Sequence, residues 1–226
     1  MFLPLIVMPQ SIKQYASTPY RIYGGNIMID EVESLQSVLD NGPSKYILCF
    51  IGGFCDTYYK LIWNVFCESL LRRKQVDLQI ANCNNDISHF TMLYMSFNCY
   101  RFLLDFIPNL ISAGYEVSAI SHSWGAKNIV RSCLDSSSVV LSKLITLDCV
   151  GRFSIKCRPK NIQTWENIYI TDYFSKYSRA NLAAIIGGAK QYIEYADINI
   201  GIKPPAHHAS VLTMLSHSQL ISSFTM

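Results

Sequence analysis

The chain has 226 residues, of which 50% are hydrophobic and only 15% are charged. This composition excludes a disordered tail, a collagen-like fibre and a highly charged coiled coil, and the length predicts a single domain over residues 1–226. The net charge of +3 is small and its lysines and arginines are scattered, so we expect no nucleic-acid partner. The apolar runs are all shorter than the roughly 18–20 residues that span a bilayer.

The first ten residues are apolar, but they lack the positively charged start and the small-residue cleavage site of a secretory signal. The sequence therefore predicts a cytoplasmic protein, or one that is exported without a cleavable signal. The eight cysteines form no C-x-x-C pair, and we interpret most of them as reduced thiols in the core. Nucleotide-binding and zinc-protease motifs do not occur in the sequence, so no cofactor and no metal are expected.

Short runs of Ile, Val, Leu and Tyr, each followed by small or polar residues, are typical of buried strands. They cover residues 46–51, 76–81, 117–120, 144–147, 168–170 and 197–202. Apolar residues at helical spacing lie between them, in residues 58–72 and 128–134. Strands that alternate with helices predict an α/β fold, with a mostly parallel central sheet and helices on both faces.

A serine stands at a strand-to-helix turn in the middle of the chain. Residues 121–126 read Ser-His-Ser-Trp-Gly-Ala and connect a predicted strand to a predicted helix. Small residues two positions either side of a serine let the strand and helix approach closely, and the strained turn then exposes the hydroxyl above the sheet. Gly125 meets this requirement, and Ser121, which stands where glycine is usual, is only slightly larger than glycine. The pattern predicts Ser123 as a nucleophile.

A serine nucleophile needs an imidazole base, and the base needs a carboxylate that orients it. Asp148 directly follows the apolar strand 144–147, which places it at the carboxyl edge of the predicted sheet. Asp172 follows the strand 168–170 in the same way and is the alternative acid. The strand pattern alone leaves both candidates open.

The candidate bases lie late in the chain. His207 and His208 follow two prolines that end the preceding strand, and an apolar helical pattern begins soon after them. We favour His208, near the start of that helix, and keep His207 as the alternative. The other histidines, His89, His122 and His217, are expected to have structural roles.

An oxyanion hole needs two backbone N–H groups that point to where negative charge develops. The residue after the nucleophile, Trp124, supplies one of them. The pair Gly52 and Gly53 follows the strand 46–51 and permits a tight turn, so the amide of Phe54 is expected to supply the other.

This arrangement resembles the α/β-hydrolase superfamily, and its lipases in particular. Residues 49–56 resemble the H-G-F oxyanion segment, with Gly52 in place of the histidine, and residues 144–148 resemble the I-T-x-L-D stretch of pancreatic-type lipases. In those lipases the aspartate after the sixth strand is the triad acid, so the resemblance favours Asp148 over Asp172. Two further departures are Ser121 for a glycine and Cys149 for a proline.

The resemblance implies a serine carboxylic-ester hydrolase (a lipase or phospholipase) that acts on lipid-like or small esters. A thioesterase or amidase with the same triad is the alternative enzyme, and a catalytically inactive binding protein is the alternative of another class. Peripheral contact with a membrane and a protein inhibitor of unknown kind are the partners considered. Small lipase-like toxins delivered between bacteria, which also lack signal peptides, are one biological context that fits.

Fewer than twenty residues separate Asp148 from Ile168, so the sequence predicts a minimal cap over the site. A lid would come from residues 174–195 or 90–107. For both segments, an ordinary core helix is the favoured alternative to a lid.

Overall fold

The computed structural model describes residues 5–7, 21–24, 28–29, 46–54, 56–69, 90–175 and 177–224. Strands and helices alternate along most of this length, and each sheet strand after β4 is reached through a helix or a loop. The strands are β1 (Leu5–Val7), β2 (Arg21–Gly24), β3 (Met28–Ile29), β4 (Tyr46–Ile51), β5 (Phe90–Met95), β6 (Glu116–His122), β7 (Leu141–Leu147), β8 (Ile162–Ile170) and β9 (Ile198–Ile202).

The helices are α1 (Asp56–Tyr59), α2 (residues 61–69), α3 (Tyr100–Ser112), α4 (Ser123–Asp135), α5 (Arg179–Gly187) and α6 (Val211–Ser216). A short 3₁₀ helix, Ile221–Phe224, follows α6. Among the described helices, none is both long enough and apolar enough to cross a lipid bilayer.

The strands form one sheet in the order β3-β2-β1-β5-β4-β6-β7-β8-β9. Strands β1 and β5 pair in parallel, and so does each neighbouring pair from β5 to β9, whereas β2 and β3 are antiparallel additions at one edge. This confirms the predicted α/β class with a parallel central sheet.

The central strands are buried on both faces because helices cover both sides of the sheet. Alternate side chains of a strand point to opposite faces and so enter two different cores. In β4, Ile47, Cys49 and Ile51 pack into one core, which α3 and α4 cover. Leu48 and Phe50 point the other way, into a second core that contains residues of α2, α5 and α6. The continuous apolar run of β4 therefore follows from its place between two helical layers.

Five of the predicted strands coincide with β4, β6, β7, β8 and β9, and the predicted helix 128–134 is part of α4. The predicted strand 76–81 and the end of the predicted helix 58–72 lie outside the described residues. Strand β8 begins six residues earlier than predicted. The loop before it, residues 148–161, contains neither a helix nor a named strand.

The segment 90–107, considered as a lid or a core helix, is a core helix only from residue 100 onward. Its first part is strand β5, which pairs with β4 and β1, and its second part is the start of α3. Phe102, Phe106 and Ile107 are buried in the core under the sheet. The strand in its first part was not predicted, because a short apolar run with methionine and tyrosine fits a strand and a helix equally well.

The chain changes direction across the sheet at β4. After β4 it goes to β5 on one side, and after β6, on the other side of β4, it continues outward through β7, β8 and β9. In open α/β sheets, ligands bind at the carboxyl ends of the strands where such a reversal occurs. The expected site therefore lies between the ends of β4 and β6.

Candidate active site

The turn between β6 and α4 has the strained geometry expected of a nucleophile elbow. Ser123 has a φ of 54°, in the left-handed region that residues other than glycine rarely adopt. Helix α4 begins at the same residue, so strand, turn and helix follow without a linker. A Cβ atom on Gly125 would collide with the carbonyl oxygen of Gly52, so a glycine at 125 lets α4 approach the end of β4.

Serine at position 121, where the resembled motif has glycine, is accommodated by the neighbouring strand. Ser121 is fully buried, and its hydroxyl donates a hydrogen bond to the carbonyl oxygen of Ile145 at 3.1 Å. The extra oxygen thus has a partner in β7, which offsets the cost of burying it.

Three predicted residues meet above this elbow. The Nε2 atom of His208 lies 3.0 Å from the Oγ atom of Ser123. The Nδ1 atom of the same ring lies 2.6 Å from the Oδ2 atom of Asp148. Ser123, His208 and Asp148 therefore form one continuous chain of hydrogen bonds, although they come from three separate parts of the sequence.

The carboxylate of Asp148 is completely buried and fully paired. Its Oδ2 atom faces His208, while its Oδ1 atom accepts hydrogen bonds from the backbone N–H of Ile170 at 3.1 Å and from the hydroxyl of Tyr173 at 2.5 Å. Burial, together with the adjacent Asp148 carboxylate, raises the pKa of Tyr173, so its hydroxyl keeps its proton and remains a donor. Both oxygens of this buried carboxylate therefore have hydrogen-bond partners, as buried polar groups require.

His208 is held through its main chain as well as its side chain. The backbone N–H of His208 donates to the Oδ1 atom of Asn181 at 2.8 Å. Asn181 is itself buried, and its Nδ2 atom donates to the carbonyl oxygen of Tyr173 at 3.1 Å. Asn181 and Tyr173 thus join the base and the acid at the start of α5.

The two alternative residues lie in other environments. The Oδ1 atom of Asp172 accepts the backbone N–H groups of Phe174 and Ser175, as in a turn after a strand. The Nδ1 atom of His207 lies 3.2 Å from the backbone N–H of Ala209. The structure does not bring either residue into the hydrogen-bonded chain with Ser123.

Residues 52–54, here called the oxyanion turn, pass directly beside the nucleophile. A Cβ atom on Gly53 would lie 2.8 Å from the Cβ atom of Ser123, so only glycine leaves room for this approach. The next residue, Phe54, has its ring 6.1 Å from that of Trp124. The two residues predicted to supply the oxyanion amides are therefore neighbours in space.

Asp56 braces the oxyanion turn from below. Its backbone N–H donates to the carbonyl oxygen of Gly53, and its buried carboxylate accepts the hydroxyl of Tyr94 at 2.6 Å and the N–H of Ile62 at 2.9 Å. A Cβ atom on Gly52 would lie 2.8 Å from both the Asp56 carboxylate and the Tyr94 hydroxyl. The space beside residue 52 is filled, which explains why this chain has glycine where the resembled segment has histidine.

If the site hydrolyses esters, as the resemblance implies, substitution of Gly53 by alanine is expected to reduce turnover of an activated ester by about 10²- to 10³-fold, the cost of losing one oxyanion donor. The new methyl group would push the turn away from Ser123, and with it the Phe54 amide. The measurement is kcat/KM, together with the thermal midpoint. Gly114→Ala is the control, because it strains a residue with a φ of 86° far from the site and leaves activity unchanged. Equal activity of Gly53→Ala and wild type would contradict the assignment of the turn.

Sequence reasoning did not identify Tyr173, Asn181 or Asp56. Tyr173 follows the alternative acid Asp172 directly, and this proximity was the only signal for it. Asn181 lies in a helix without any motif, so only the fold brings it to His208. Among the described residues, no group of three or more His, Cys, Asp or Glu side chains is arranged to hold a metal ion.

Comparison of the chain with models of protein families, with curated proteins and with solved structures gives no match.

Proposed function

We propose that the protein is a serine hydrolase with an α/β-hydrolase fold, which cleaves carboxylic esters through an acyl-enzyme. The observation that carries this proposal is the hydrogen-bonded chain from Ser123 Oγ through His208 to Asp148, with distances of 3.0 and 2.6 Å. Supporting observations are the strained elbow and the order Ser, Asp, His along the chain, which is that of α/β-hydrolases.

In the proposed reaction, each step uses a group of this site. As Ser123 Oγ attacks the ester carbonyl carbon, His208 Nε2 takes the hydroxyl proton, and Asp148 stabilises the resulting imidazolium. The carbonyl oxygen becomes an oxyanion, which the amides of Phe54 and Trp124 hold. When the tetrahedral intermediate collapses, the bond to the alcohol oxygen breaks and His208 returns its proton to that oxygen. The acyl group then remains on Ser123.

Water completes the cycle by the same route. His208 removes a proton from a water molecule, the hydroxide adds to the acyl carbon, and the carboxylic acid leaves as Ser123 Oγ regains the proton. The buried position of Asp148 serves both halves, since His208 is charged in each of them. The same chemistry cleaves thioesters and amides, so the triad does not by itself select the leaving group.

Exposed apolar side chains around the triad favour a lipid-like ester. Phe174 and Tyr177, at the start of the segment that leads into α5, are 84% and 86% exposed. Ile186 and Leu182, one turn apart on α5, are also exposed. Beside Ser123, Phe54 is 62% exposed, and its ring lies 6.1 Å from that of Trp124. Apolar surface of this kind receives acyl chains or touches a membrane.

Cationic groups accompany this surface. The Lys127 ammonium lies over the ring of Trp124, 4.9 Å from its centroid, and the Arg152 guanidinium donates to the carbonyl oxygen of Ile186. Positive charge beside exposed aromatic residues suits an anionic phospholipid surface. This supports peripheral contact with a membrane as part of the proposed function.

A fluorophosphonate probe and a panel of esters, thioesters and amides of increasing acyl length test the proposed function. We expect stoichiometric labelling of Ser123 and a preference for esters with long acyl chains. Absence of labelling, with the fold intact, would favour the alternative of an inactive binding protein. A preference for thioesters or amides would reassign the leaving group without changing the triad.

The double substitution Phe174→Ser with Ile186→Ser is expected to slow hydrolysis of a long-chain ester in anionic vesicles by about tenfold. The reason is that both apolar side chains would contribute binding energy when they are buried in the lipid. Turnover of a short, soluble ester should not change, because neither side chain touches the triad. Tyr46→Ser is the control, as Tyr46 lies at the amino end of β4, away from Ser123. Equal loss on both substrates would argue against a membrane contact.

A further inference from the structure

His122 lies beside the catalytic groups and is almost completely buried, at 2% exposure. It precedes Ser123 in β6, and its Nε2 atom lies 2.9 Å from the backbone carbonyl oxygen of His208. Since a carbonyl oxygen accepts hydrogen bonds and cannot donate them, the His122 ring carries its hydrogen on Nε2. The residue that was expected to be purely structural thus contacts the main chain of the base.

The other nitrogen of this ring has no hydrogen-bond partner among the residues that the structure describes. Nδ1 of His122 is buried without a hydrogen bond, and a Cβ atom on Gly53 would lie 3.0 Å from it. With the hydrogen on Nε2, Nδ1 is an unpaired acceptor that faces the oxyanion turn. Burial, with a smaller contribution from His208, lowers the pKa of His122 to about 3. The ring therefore stays neutral when His208 takes up a proton.

The ring of His122 lies between two parts of the site that must keep a fixed distance. On one side it packs against the ring of His208, with centroids 4.7 Å apart and planes tilted by 31°. On the other side it contacts Gly53, next to the predicted oxyanion donor Phe54. A change in its size or hydrogen bonding would shift the base relative to the oxyanion turn.

Both main-chain polar groups of His208 are held by buried side chains. Asn181 accepts its N–H, and His122 donates to its C=O. The segment 203–210, here called the base loop, connects β9 to α6 and contains turns but no helix or strand. A loop without regular hydrogen bonding gains its precision from such side-chain contacts.

We propose that His122 is a positioning residue, which holds the His208 carbonyl and the oxyanion turn so that His208 Nε2 stays in line with Ser123 Oγ. The inference rests on the proposed function, since it concerns the rate at which that triad reacts. A displacement of about 1 Å in a catalytic group lowers the rate by about 10²-fold, so the effect is measurable.

The test compares two amide substitutions that differ in reach. The nitrogen of Gln can occupy the position of the imidazole Nε2 and donate to the His208 carbonyl, whereas the nitrogen of Asn ends near the position of Nδ1. We expect His122→Asn to lower kcat and the rate of fluorophosphonate labelling by about 10- to 100-fold per active site, with KM unchanged. His122→Gln should recover most of the rate.

Active sites are counted by the final extent of labelling, which separates positioning from folding. A merely structural role changes that extent, or the thermal midpoint, but leaves the rate per site unchanged. Equal rates per site for His122→Asn and wild type, or equal losses for Asn and Gln, would overturn the inference. A wild-type protein that the probe does not label would instead refute the proposed function.

A second measurement needs no variant and no activity. ¹⁵N NMR of histidine-labelled wild-type protein should show a neutral His122 ring at neutral pH, protonated at Nε2 and unprotonated at Nδ1. A hydrogen on Nδ1, or a positively charged His122 ring at neutral pH, would also overturn the inference.

Discussion

The Ser123→Ala variant is expected to have a kcat for ester hydrolysis about 10⁴- to 10⁶-fold lower than that of the wild type, because the attacking oxygen is removed while the base and the oxyanion turn remain. Substrate binding should change little, so KM stays close to that of the wild type. The measurement is steady-state turnover of an activated ester, with labelling by a fluorophosphonate in parallel.

Folding of this variant is expected to be preserved. Alanine is smaller than serine, and the Ser123 hydroxyl contacts His208 rather than the core. Ser132→Ala is the matched control: Ser132 is buried in the same helix, and its hydroxyl donates to the carbonyl oxygen of Ile129 at 2.8 Å. That variant should lose about 1 kcal/mol of unfolding free energy and keep full activity. Turnover retained by Ser123→Ala would remove this serine from the mechanism.

Much of the site was predictable from the sequence because its key residues stand at strand ends. The elbow around Ser123 and the predicted acid Asp148 each follow a short apolar run that is typical of a buried strand, and parallel strands bring their carboxyl ends to one edge. His208 was harder to choose over His207, since both follow the same two prolines. Only the path of the base loop decides which ring faces Asp148.

The residues that support the triad could not be predicted in this way. Asn181 and Tyr173 act through contacts between α5, the end of β8 and the base loop, and these elements are far apart in the sequence. The hydrogen-bonding requirement of a buried carboxylate predicts that such partners exist, but not which residues they are. For the same reason the sequence assigned His122 only a structural role.

The fold was predicted best where a strand is buried on both faces, as in β4. It was predicted least well in the segment 90–107, where a strand and a helix follow each other with the same apolar and aromatic composition. The position of β5 beside β4, on the side away from β6, is not visible in any local pattern, because strand order depends on pairing between residues that are far apart in the sequence. That position nevertheless creates the reversal at which the triad lies.

Replacement of each candidate aspartate by asparagine shows which of the two is the acid of the triad. Asp148→Asn is expected to lower kcat by about 10⁴-fold, because an amide nitrogen facing His208 donates to Nδ1 and forces the hydrogen of the ring onto Nε2. In that tautomer His208 cannot accept the proton of Ser123. The Oδ1 atom of the new asparagine still accepts from Ile170 and Tyr173, so the fold should persist.

Asp172→Asn is the matched control, since it makes the same chemical change one strand away. The asparagine oxygen continues to accept the N–H groups of Phe174 and Ser175, and no contact with His208 is lost. We expect turnover within about twofold of the wild type, as for other surface substitutions away from the site. A loss of several orders of magnitude in Asp172→Asn, with Asp148→Asn active, would show that the base loop moves to a different acid during catalysis.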